Sequence, residues 1–141
     1  AVKDFAKKYN TTPSKIYGII NVESVWDPTV INEGGYSGLF QIGEEAAREA
    51  GIDYASISTM TPTQQVAAYD KYLKRWNYDG SVSLGLMQAA PGLAKRLKGS
   101  PPTTVVYTVG SDAWNANPKW RSGAEGKGPV TMASLDKVYN Q

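Results

Sequence analysis

The segment 13–42 constrains this chain most, because it sets a carboxylic acid on the apolar stripe of a helix and follows that helix with a glycine-rich turn. Thr12 before Pro13 reads as an N-cap and first helical position, and apolar residues recur at helical spacing from Pro13 to about Val25. Ile16, Ile20 and Glu23 fall at i, i+4 and i+7, so the glutamate shares its stripe with two isoleucines. An unpartnered carboxylate leaves water at high cost, and a raised pKa that keeps it protonated near neutrality relieves that cost. A protonated acid at a cleft can donate a proton. The plainer alternative is a glutamate at the helix end, turned to solvent or paired with a Lys or Arg.

Trp26-Asp27-Pro28 stops the helix, since the residue before a proline is pushed out of the α region. Gly34-Gly35-Tyr36-Ser37-Gly38 then lets backbone come close to the helix or to a ligand. Leu39-Phe40-Gln41-Ile42 is read as extended, which sets Gln41 on the face opposite Ile42 unless the segment is helical. An acid, a glycine-rich loop and a polar amide together fit a sugar-binding corner.

Composition narrows the chemistry further. The chain has no histidine and no cysteine, which removes a Ser-His-Asp triad, a histidine metal cluster, thiol catalysis and a disulfide framework, and leaves carboxylates as the acid-base groups. At 141 residues, 41% hydrophobic and 20% charged, the chain fits one soluble domain, 1–141. A net charge of +2 is too small to argue for nucleic acid. No run is long and apolar enough for a membrane span, and no basic-then-apolar leader opens the chain. A start at Ala1 fits a processed product or a module of a longer protein.

Helix signals punctuate the rest. Val2, Phe5, Ala6 and Tyr9 predict a short first helix. Glu44–Ala50 predicts a helix closed by Gly51, its first-turn acids matched to the helix dipole. Thr61 with Gln64 is a capping box for a helix to about Trp76, whose stripe is Val66, Tyr69, Leu73 and Trp76. Ser81–Ala90 predicts another helix, stopped by Pro91-Gly92, and Leu93–Lys98 a basic turn. Beyond it, 99–141 reads as a loop-rich extension. Val105, Val106 and Val109 are assigned to helix from the helical context, Gly123–Pro129 to a loop or hairpin, and Thr131 to the cap of a final helix through Tyr139. Trp114 and Trp120 offer flat faces for sugar rings or for packing.

Four ordered stretches resemble the lysozyme-like lytic transglycosylases of the SLT type, related to goose-type lysozymes. Glu23-Ser24 with Asp27-Pro28 is similar to E-S-x-x-N-P, Gly38–Ile42 to G-L-M-Q-I, Gln65–Leu73 to N-I-x-x-G-x-x-Y-L, and Leu84–Gly92 to L-A-A-Y-N-A-G-P-G. The resemblance covers about 12–98. Three positions depart from the pattern: Met87 stands for the family's substrate-side tyrosine, Gln88 for an asparagine and Tyr69 for a glycine.

The resemblance implies a mainly α, lysozyme-like domain with a substrate groove that cleaves the β-1,4 bond between MurNAc and GlcNAc in peptidoglycan. It implies Glu23 as acid and then base, with the muramic 6-hydroxyl closing a 1,6-anhydro ring. Ser24, Tyr36, Gln41, Gln88 and Tyr107 are the expected sugar contacts, without metal or cofactor. A hydrolytic muramidase would add a second carboxylate roughly 5–9.5 Å away, for which Glu33 and Asp27 are the candidates, Asp27 being better placed to brace its turn. A glycan-binding module without turnover is the non-enzymatic alternative, motivated by Met87 and Tyr69. The expected partner is the glycan strand in the periplasm or cell wall, reached by a module of a bacteriophage or of a secretion apparatus.

Overall fold

The computed structural model describes residues 2–80 and 84–139. Its contacts divide the chain into two compact units, Ala1–Gly80 and Ser81–Gln141. No helix among the described residues is long and apolar enough to cross a membrane.

The first unit is helical: α1 (Val2–Lys8), α2 (Pro13–Ser24), α3 (Glu44–Ala50) and α4 (Pro62–Arg75), with a 3₁₀ turn at Tyr54–Thr59. The local signals explain the boundaries. Thr12 Oγ1 accepts from Lys15 N to start α2, and Gly51 closes α3 in left-handed backbone. At α4 both halves of the Thr61/Gln64 capping box are formed, at 2.8 and 3.2 Å. These orphan amides would otherwise end the helices unsatisfied.

Aromatic packing holds the unit together. The Tyr69 ring is wholly buried, stacked on Phe40 at 4.0 Å between centroids and on Tyr72 at 5.7 Å, with Phe5 of α1 at 5.9 Å. Such pairs add about 0.5–1.5 kcal/mol each beyond burial. Tyr69, one of the departures from the family pattern, is thus a core residue. On α4, Asp70 accepts from Tyr9 and ion-pairs with Lys8 at 3.0 Å and Lys74 at 3.7 Å, tying the chain after α1 to α4. Asn10 closes the unit by donating to Asp79 O at 3.1 Å.

The segment 28–43 departs from the expected alternation. It is a set of turns with isolated antiparallel bridges Ile31 to Ser37 and Ser37 to Ile42. Gln41 takes left-handed backbone, φ 50°, so Leu39, Phe40, Gln41 and Ile42 are all buried. Period-two reasoning fails where the backbone is not extended.

The second unit contains α5 (Leu84–Ala89), α6 (Pro91–Arg96), α7 (Asp112–Ala116) and α8 (Met132–Tyr139), with short 3₁₀ turns at Pro118–Trp120 and Ala124–Gly126. The predicted start of α5 at Ser81 lies outside the described residues. Pro91 stops α5 as expected and also serves as the first position of α6. Gly85 is required where α5 meets α8, because a Cβ there would sit 2.6 Å from the Tyr139 ring.

The helical assignment of Val105, Val106 and Val109 is wrong, and Val109 lies in a turn. Val105–Tyr107 is a strand, β1, paired antiparallel with β2, Val130–Thr131. Val105 finds its partner, Thr131, 26 residues along the chain, which local context could not reveal. Thr131 also caps α8 as predicted, its Oγ1 accepting from Ser134 N at 3.0 Å. The 114–121 stretch forms α7 and a 3₁₀ turn rather than only turns.

Candidate active site

The end of α2 is strained. Val25 (φ 51°) and Trp26 (φ 65°) take successive left-handed conformations, which cost a β-branched or bulky residue on the order of 1–3 kcal/mol each. The turn leaves Val25 77% and Trp26 51% exposed directly after Glu23 and Ser24. Trp26 lies 5.6 Å from the half-exposed Tyr17 ring. Strain of this kind clusters at ligand sites and persists only where the surroundings over-determine it.

Those surroundings are well tied. Asp27 N donates to Ser24 O at 3.0 Å, and the Asp27 carboxylate accepts from Thr29 Oγ1 at 2.7 Å and Thr29 N at 2.9 Å. The Thr29 hydrogen bonds hold the Asp27 carboxyl below its usual range. Asp27 is therefore a brace for the turn.

Gln65 of α4, buried, fastens three segments at once. Its Oε1 accepts from Leu39 N at 2.7 Å, and its Nε2 reaches Pro28 O (2.8 Å), Ile57 O (3.1 Å) and Met60 O (3.2 Å). Gly38 makes this possible: its φ is +82°, and a Cβ would lie 2.5 Å from Gln65 Oε1 and 2.7 Å from Ile57 Cγ2. The glycine loop is thus set by close approach to a side chain of α4. Gln41 Nε2 donates to Gly38 O at 2.9 Å and also reaches Val30 O at 3.3 Å. Tyr54 Oη holds Gly35 O at 2.6 Å. Ser37 Oγ is buried without a hydrogen-bond partner, an orphan that costs about 1–3 kcal/mol unless water or ligand reaches it.

Three elements converge electrostatically. Burial pushes the Tyr72 phenol above its ordinary range, and the charge of Glu23 and the neighbouring Tyr36 push it further in the same direction. Glu23 comes from the last turn of α2, where it is half-buried, Tyr36 from the glycine loop and Tyr72 from α4. Tyr36 is 49% exposed, and its ring packs so closely on Gly43 that a Cβ there would lie 3.0 Å away.

The model of the transglycosylase SLT domain matches residues 1–79, more than half of the chain and nearly the whole first unit. The chain belongs to this family. The SLT domain is a lysozyme-like lytic transglycosylase domain, and its substrate class is peptidoglycan. The match contains the first three motifs and ends before Leu84–Gly92.

Of the predicted site residues, Glu23, Ser24, Tyr36 and Gln41 lie in the SLT domain. Ser24 is buried, with Oγ donating to Ile20 O at 2.9 Å. Glu33 is exposed in the loop. Gln88, half-buried on α5, and Tyr107, on β1, belong to the second unit. The Tyr107 ring stacks on Trp120 at 6.2 Å. Trp114 is engaged inside that unit, its Nε1 donating to Gly128 O at 2.9 Å. Sequence reasoning missed Tyr72 and Gln65 as site residues, although both stand in the 65–73 stretch that carried the resemblance.

Proposed function

We propose that this SLT domain cleaves the MurNAc-GlcNAc bond with Glu23 as its single catalytic acid and base. As acid, Glu23 protonates the leaving glycosidic oxygen; as base, it takes the proton of the muramic 6-hydroxyl, which attacks the anomeric carbon and closes the 1,6-anhydro ring. The single observation that carries this reading is the convergence of Glu23 with the buried, protonated Tyr72 phenol. The phenol stays neutral within the field of Glu23, a carboxylate that must change its protonation state twice. Asp27 supports a one-carboxylate mechanism, since both hydrogen bonds from Thr29 engage it.

Tyr36 is the sugar contact this reading favours, being half-exposed on the same loop. Ser24 and Gln41 shape the sugar corner from beneath, through their bonds to Ile20, Gly38 and Val30. Gln88 and Tyr107 are proposed as further sugar contacts, read as a raised KM in Gln88→Ala and Tyr107→Ala with kcat unchanged.

The test is mass spectrometry of muropeptides released from purified peptidoglycan by the wild type and by Glu23→Gln. Products ending in 1,6-anhydromuramic acid, lost in the variant, are the expected result. Reducing-end muramic acid would replace the mechanism by hydrolysis and direct attention to Glu33. Binding without products from either protein would leave a glycan-binding module.

A further inference from the structure

The second unit has a cavity that the SLT chemistry does not use. About 420 Å³ in volume, it opens between the 3₁₀ turn at Pro118–Trp120, β2 and α8, and is bordered by Lys119, Arg121 and Lys137 with Ser122, Thr131 and Ser134. That volume lies within the usual range for a small-ligand site. No carboxylate lines it.

The three cations differ in role. Arg121 is fixed: its Nε and one Nη donate to Trp114 O at 3.0 and 2.9 Å, and its guanidinium carbon lies 3.6 Å from the Trp114 ring centroid. That stack anchors the Arg121 charge without neutralising it. Lys119 and Lys137 are exposed. None of the three forms an ion pair among the described residues. Glu125, an acid of the same unit, is paired with Lys127 at 3.0 Å. Ser122 and Ser134 donate to Pro129 O and Trp120 O, so their hydroxyl protons are engaged and the lysines remain as the charged donors.

Charge distribution points the same way. Residues 81–141 carry seven Lys and Arg against three Asp and Glu, net +4, whereas residues 1–80 carry eight against ten, net −2. A catalytic unit of net negative charge gains nothing over long range from an anionic polymer, while a cationic one draws it within a Debye length, about 8–10 Å.

We infer that this cavity is a second binding site that holds an anionic group of the bacterial wall polymer, a carboxylate or a phosphate. The inference rests on the peptidoglycan reading for the source of the anion. Muramic lactyl groups and stem peptides supply carboxylates, and phosphate-bearing wall polymers are the other source. Lys119 and Lys137 provide charge-assisted donors, and Arg121 adds an anchored charge to the same lining.

The test is backbone-amide NMR of the full chain bearing Glu23→Gln, titrated with a soluble muropeptide whose carboxylates are free, with its amidated counterpart and with inorganic phosphate. The expected result is movement of the resonances of 119–123 and 131–138 with the acidic muropeptide and not with the amidated one. Adding Lys119→Gln and Lys137→Gln should weaken that binding about tenfold or more, each exposed charge contributing a few-fold. Response to phosphate alone would keep the anion site and assign it to a phosphate-bearing polymer. No movement with either anion, or movement indifferent to the two substitutions, would overturn the inference. Because binding is read in a chain disabled at Glu23, its outcome is separate from that of the cleavage reaction. In an otherwise wild-type chain, Lys119→Gln/Lys137→Gln should retain turnover of a short soluble glycan.

Discussion

The two units of this chain hold their shape by different means. The SLT unit has a column of stacked aromatic rings, Phe5, Phe40, Tyr69 and Tyr72, and one buried amide, Gln65, that bonds four separate backbone groups. The second unit has short elements, a two-stranded ladder, and loops closed by side-chain bonds such as Arg121 to Trp114 and Trp114 to Gly128. The difference teaches where precision is needed. The glycine loop beside Glu23 is held in place by a buried side chain of another element, Gln65, whereas the cavity of the second unit is lined by one anchored cation, Arg121, and two exposed lysines.

Substitutions can break this contrast. Phe40→Ala removes the ring stacked on Tyr69 at 4.0 Å and should destabilise the SLT unit by about 3–5 kcal/mol, whereas Tyr107→Ala, at a half-buried ring of the second unit, should cost less than half as much. Urea unfolding followed at each unit would check the ratio, and equal losses would erase the contrast.

Gly38→Ala comes next. The new methyl meets Gln65 Oε1 and Ile57 at a left-handed position, so a loss of at least about 2 kcal/mol is expected, with reduced cleavage as the loop shifts. Unchanged melting and activity would show that the loop does not depend on the Gln65 bonds.

Tyr72→Phe sharpens the functional side. Removing the neutral hydroxyl that feels the Glu23 charge should lower kcat by up to about tenfold, the equivalent of one pKa unit of electrostatic influence, while the ring keeps its stack on Tyr69. A pH-rate profile identical to wild type would remove Tyr72 from the mechanism.

The smallest effect is in pH dependence. Burial works against the ionised Asp70, but the hydrogen bonds from Tyr9 and Lys8, and the charges of Lys8 and Lys74, outweigh it and hold the Asp70 pKa below 3.8. The stability this carboxylate contributes is present above that value and is lost as pH falls through the depressed pKa. Tyr9 and Tyr72 are raised above 10.0, mainly by burial; their contribution is present below that value and is lost as pH rises through the raised pKa values. Melting temperatures against pH should therefore fall on both flanks for the SLT unit, and Asp70→Asn should flatten the acid flank. An acid flank unchanged by that substitution would assign the loss elsewhere.

Much of the SLT unit was legible because its signals are local. Thr12-Pro13, Gly51 and the Thr61/Gln64 box depend on residues within four positions of one another, and each formed where the sequence put it. The Glu23 stripe was readable for the same reason, since three residues at helical spacing fix a face. What failed was non-local or conformationally unusual: β1 needed Val130 and Thr131, and the Leu39–Ile42 alternation was undone by the left-handed backbone at Gln41.

The sequence alone determined the family, the helix boundaries of the SLT unit, the place of Glu23 on its helix and the exclusion of histidine and cysteine chemistry, because spacing, caps and composition act within a few residues. Only the tertiary structure decided that Tyr69 fills the core, that Gln65 sets the glycine loop, that the Glu23 charge is felt at Tyr72 and that Lys119, Arg121 and Lys137 border one cavity. Each of those facts depends on side chains distant in sequence, and on desolvation and close approach that no local pattern encodes.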